Sequence, residues 1–79
     1  MKLVKQFEDK NPFGGSYGMY HVIIEDKVIP FDFRKTKDGL GTLWNVEFPN
    51  FVFSARSLSE IKNKASERME YLSEFAWSK

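Results

Sequence analysis

Hydrophobic positions along this chain change their spacing twice, and each change marks a new kind of element. From Tyr17 to Glu25 the period is two, with Tyr20, Val22 and Ile24 on one side and Met19, His21, Ile23 and Glu25 on the other. That alternation predicts a strand with two unlike faces. Val28 to Arg34 repeats it, setting Ile29, Phe31 and Phe33 against Val28, Pro30, Asp32 and Arg34. Pro30 has no N–H for a ladder, so this strand needs an unpaired edge or a bulge at that point. A third strand runs from Leu43 to Phe48 with Trp44, Val46 and Phe48 on one side, and Phe51 to Ser54 forms a short fourth after the corner at Pro49. The connection Lys35 to Gly41 is polar and punctuated by glycine.

After Ser57 the period becomes helical. Leu58, Ile61, Ala65, Met69, Leu72 and Ala76 form one apolar stripe, and Ser57 with Glu60 makes a capping box at its start. Lys62, Lys64, Glu67, Arg68, Glu70 and Glu74 decorate the remaining face. Ahead of Tyr17, Leu3, Val4 and Phe7 follow no clear period, and Asn11-Pro12-Phe13-Gly14-Gly15-Ser16 interrupts any regular element. Residues 1–16 therefore read as an arm and loop, and residues 17–79 as a single α+β domain. Its expected form is an antiparallel meander of three to four strands packed on one C-terminal amphipathic helix.

With 79 residues, no cysteine and one histidine, the core is small, and neither a disulfide nor a structural metal is expected to staple it. Self-association is the remaining staple, and a homodimer is one expectation. Eight phenylalanines supply large apolar area per residue. The formal charge of +1 gives no broad electrostatic footprint for nucleic acid or an anionic membrane. No apolar run approaches the roughly 20 residues of a membrane span, and Lys2, Lys5, Glu8, Asp9 and Lys10 interrupt any leader-like stretch. The expected location is the cytoplasm.

A tight first hairpin closed by Glu25-Asp26-Lys27-Val28 would set Tyr20 opposite Phe33 and His21 opposite Asp32. The second, closed near Arg34 and Leu43, would set Asp32 opposite Asn45. The resulting row of imidazole, carboxylate and amide has no serine or cysteine nucleophile with it and would lie on an open sheet. It reads as a solvated cross-strand set, and the chain as a protein without catalytic residues, cofactor or metal.

The same outer face carries more apolar residues than a solvated sheet needs, which marks an interaction surface. The expected partner-binding residues are Met19, His21, Ile23, Pro30, Asp32 and Leu43, unless the arm with Leu3, Val4 and Phe7 folds back over them. Gly14-Gly15-Ser16-Tyr17-Gly18 lacks the lysine and spacing of a phosphate-binding loop and reads as a flexible connection.

Residues Ile29 to Leu72 resemble the N-terminal domain of HicB-type antitoxins, through Val46-Glu47-Phe48-Pro49-Asn50 followed by a short strand and then Ser57-Leu58, Glu60-Ile61, Ala65, Glu67 and Met69. The resemblance implies a partial RNase H-like fold that binds a protein, in that family a small RNA-cleaving toxin. A phage-type inhibitor of a nuclease or polymerase is an expectation built on the same physics. The alternative is a small RNA- or DNA-binding domain. Were Leu3 to Lys10 helical, the element order would resemble a double-stranded RNA-binding domain, with Arg34, Lys35, Lys37, Arg56, Lys62 and Lys64 tracking phosphates. The acidic Glu60 stands where that family sets lysines, which places the alternative second.

Overall fold

This computed structural model describes residues 1–78, apart from the side chains of residues 75, 77 and 78. The fold is α+β. Five strands, β1 (Lys2–Lys10), β2 (Ser16–Ile24), β3 (Lys27–Asp38), β4 (Gly41–Phe48) and β5 (Phe51–Ala55), form an antiparallel meander in chain order. A helical segment follows, made of α1 (Leu58–Glu67), α2 (Met69–Leu72) and a 3-10 turn at Ser73–Phe75. The chain then returns to the sheet as β6 (Trp77–Ser78), which pairs with Lys27 and Val28 at the start of β3. Among the described residues no helix is long and apolar enough to cross a membrane.

The alternating pattern sorts the sheet as expected. Ile29, Phe31, Phe33, Trp44, Val46 and Phe48 are all buried on one face together with Tyr20 and Val22. Their rings pack in a connected set: Tyr20 stacks on Phe31 at 5.4 Å between centroids, Phe31 meets Phe48 at 4.9 Å, and Phe33 meets Trp44 at 5.1 Å. Against them the helical segment buries Ile61, Ala65 and Leu72 completely. Ser57 caps α1 by accepting the Glu60 N–H at 3.2 Å. The returning half of the box is displaced by one residue, because Glu60 Oε2 accepts the Arg56 N–H at 2.8 Å.

Three features correct the sequence reading. Residues 2–10 form an edge strand on β2, where an arm was expected. Their pattern is obscured by a bulge between Lys5 and Phe7, which moves Leu3 and Phe7 onto opposite faces and destroys any single period. Leu3 then packs on the core, and Val4 lies beside His21 without crossing the face. Secondly, the stripe expected from Leu58 to Ala76 is interrupted at Arg68, whose φ of −111° and ψ of 21° leave the helical region and divide α1 from α2. Thirdly, the connection between β1 and β2 is a turn closed by hydrogen bonds. Asn11 N–H donates to Gly15 O and Gly14 N–H to Asn11 O, both at 3.0 Å, while Asn11 Oδ1 accepts the Phe13 N–H.

Both central hairpins also differ in register from the expectation. Glu25 adopts a φ of 53°, so Glu25-Asp26 forms the two-residue loop and Ile24 faces Lys27. Tyr20 thereby lies opposite Phe31 and His21 opposite Pro30. The next hairpin turns only at Gly39-Leu40, where Asp38 Oδ1 accepts the Leu40 N–H at 2.8 Å and Gly41 supplies a φ of 114°. Residues 35–38, read as connection, extend β3. Lys35 can lie on the inner face because its stem and ammonium rest over Trp44, 4.7 Å from the ring centroid. Pro30 falls where the second edge of β3 is unpaired, between its contacts with β6 at Lys27–Val28 and with β4 from Asp32 onward.

Candidate functional site

Strand pairing lines up the outer-face residues in rows that cross the sheet. One row runs Phe7, Met19, Asp32, Glu47, Val52, one residue from each strand. The next runs Asp9, Tyr17, Arg34, Asn45, Ser54. Between them lies a groove of about 470 Å³, with Phe7 and Tyr17 on one wall, Val52 on the other, and Asp32, Arg34, Asn45 and Glu47 along the floor. A smaller notch of about 180 Å³, lined by Met19, Pro30 and Pro49, adjoins it and shares Asp32 and Glu47.

The walls are apolar and open. Phe7, Tyr17 and Val52 keep 45, 43 and 66% of their surface exposed, far more than the inner rings. The floor is polar and uneven in charge. Asp32 and Glu47 are directly opposed on neighbouring strands, an arrangement of like charges that disfavours the free sheet. Neither belongs to an ion pair among the described residues. Asn45 Oδ1 is held by the Ser54 hydroxyl, which donates at 3.0 Å.

The structure gathers most of the expected partner-binding residues, though not in the expected constellation. Met19, His21, Ile23, Pro30 and Asp32 share the outer face of β2 and β3, and Met19 stands opposite Asp32. Leu43 shares the face but pairs with Thr36. Ile23 pairs with Val28, eight residues away along β3, or roughly 26 Å at strand spacing. One patch does not contain both. The row of His21, Asp32 and Asn45 does not form either, since Asn45 faces Arg34 and Asp32 faces Glu47. Among the described residues no group of three or more His, Asp or Glu side chains is placed to hold a metal.

The six cations proposed to track phosphates are dispersed. Arg34 is on the outer face, whereas Lys35 is on the inner face, its Nζ 2.7 Å from Glu8 Oε2. Arg56 forms a two-pronged pair with Asp38, each bond 2.8 Å, which holds the Asp38 carboxyl down to about 2 and raises the Arg56 guanidinium further. Lys64 lies 3.9 Å from Glu67 on α1. Lys37 and Lys62 are exposed and separated by the sheet order and helix. Because β1 is a strand, the helix-first order of a double-stranded RNA-binding domain is absent.

Sequence reasoning missed Phe7, Tyr17, Glu47 and Val52. Tyr17 was within reach, since it continues the alternation of Met19, His21 and Ile23. Phe7 was hidden by the bulge, and Val52 needed the pairing of β5 with β4. Comparison of the chain with protein-family models, curated proteins and solved structures finds no match in any of the three.

Proposed function

We propose that this protein acts by binding another protein through the outer-face groove, as an antitoxin-like or inhibitory module without chemistry of its own. The observation that carries the reading is the row Phe7, Met19, Asp32, Glu47, Val52: apolar at both ends, open to solvent, and doubly acidic at its centre. A complementary partner inserts a cationic side chain between the two carboxylates and lays apolar groups against Phe7, Tyr17 and Val52. Pairing the acids relieves their repulsion only in the complex, so the charge that disfavours the free sheet favours association. Aromatic walls around a desolvated charged centre are the usual anatomy of an interaction hot spot.

Surfaces that handle nucleic acid are basic, and a nuclease or other nucleic-acid enzyme offers the cations this floor takes. The antitoxin-like part of the reading rests on the sequence resemblance of residues Ile29 to Leu72 to HicB-type domains. The test is affinity capture from nuclease-treated cytosol with the wild-type chain and with the groove variant Tyr17→Ala/Glu47→Lys. The expected outcome is one protein retained by the wild type and lost from the folded variant, with the target's activity on nucleic acid suppressed in the purified complex. Equal retention by both would remove the groove from the interface, and retention that depends on intact nucleic acid would put the RNA- or DNA-binding alternative first.

A further inference from the structure

The two long edges of the sheet are treated differently. On β1 the outward edge is broken by a bulge and studded with Lys2, Lys5 and Lys10, the devices that keep an edge from pairing. On β5 there is no bulge, no proline and no charge between Phe51 and Ala55. Its outer edge has no strand beside it among the described residues. Along that edge runs a trough of about 320 Å³, lined on the sheet side by Phe53, Ser54 and Ala55 and on the helix side by Glu60, Asn63, Lys64 and Glu67.

We propose that β5 pairs antiparallel with β5 of a second copy, joining two five-stranded meanders into one continuous sheet. On its sheet side the trough offers Phe53 and Ala55 to a strand whose inward residues are apolar, while its helix side is polar, and β5 itself is such a strand: Phe51, Phe53 and Ala55 face inward and Val52 and Ser54 outward. With the two-fold axis at Phe53, Phe53 meets its own symmetry mate, Phe51 meets Ala55, and Val52 meets Ser54. Faces match throughout, a large side chain meets a small one at each end, and no like charges are opposed, so the edge is complementary to itself. Each copy satisfies the unpaired edge groups of the other and covers Phe53, which is only partly buried in the single chain. This pairing goes beyond the groove reading and does not depend on it.

The chain has no cysteine, which makes the register directly testable. Sedimentation of the full chain across the micromolar range is expected to show a concentration-dependent monomer and dimer. Val52→Lys with Ser54→Lys, both at exposed positions, is expected to weaken the dimer by about tenfold or more with an unchanged circular dichroism spectrum. Mixing Val52→Cys with Ser54→Cys under oxidant is expected to give the mixed disulfide dimer in excess over either self-dimer, since only facing positions bring Cα atoms within disulfide range. A monomer at every concentration would overturn the proposal. So would a dimer that yields no excess of mixed disulfide, whatever the lysine variant does.

Discussion

Lys35 Nζ reaches across β2 to lie 2.7 Å from Glu8 Oε2, and the Ser16 hydroxyl donates to the same oxygen at 2.6 Å. β1 and β3 are not neighbours, so this cluster ties the edge strand to the centre of the sheet over the top of the strand between them. The Lys35 hydrogen bond and then that of Ser16 hold the Glu8 carboxyl at about 2, down from its ordinary 4.5.

The sign of the resulting pH dependence follows from that depression. Above about pH 4.5 both folded and unfolded chains carry the carboxylate, and the cluster contributes in full. As pH falls toward about 2 the unfolded chain takes up the proton first, and the contribution is lost. Glu8→Gln should therefore be less stable than the wild type near neutrality, by about 1 kcal/mol after allowing for solvent screening. The two should converge as pH approaches 2, which urea titrations across that window would read.

Gly18 is fixed by close approach. A Cβ there would collide with the Phe7 carbonyl, carried over it beside the bulge, and would lie 2.8 Å from the Phe33 ring. Gly18→Ala should cost about 1–3 kcal/mol by overpacking, seen as a lower denaturation midpoint. Gly39→Ala, where a Cβ meets nothing within 4 Å, is the control.

The helix is held by its inward residues more than by its first apolar one. Ile61 is fully buried, whereas Leu58 remains 38% exposed. Ile61→Ala should destabilise by about 2–4 kcal/mol, and Leu58→Ala by about 1 kcal/mol or less, in thermal or chemical unfolding. A similar loss from both would mean that the helix docks through its first turn.

Removing the cap should have a smaller effect. Ser57→Ala leaves the Glu60 N–H without its acceptor and should cost about 1 kcal/mol. Ser57→Asp should restore most of that, because a carboxylate at this position also meets the positive end of the helix.

Much of this architecture is local and therefore written in the chain. The alternation through Tyr20, Val22, Ile29, Phe31, Phe33, Trp44, Val46 and Phe48 picks out the buried face correctly, because side chains on a strand must alternate whatever the strand pairs with. Ser57 and Glu60 mark the helix start because a cap needs only neighbouring atoms. Pairing is not local in that sense. A turn displaced from Asp26-Lys27 to Glu25-Asp26 moves the register by two residues, which leaves each face intact and changes every neighbour upon it. Hence the core was legible while the row of His21, Asp32 and Asn45 was not. The edge strand was lost to a single bulged residue, and the groove drawn from Phe7, Tyr17, Asp32, Glu47 and Val52 exists only once five strands have chosen their partners. Alternation determined which residues face the core; tertiary pairing alone decided which of them meet, because contacts between strands are set by the turns that join them.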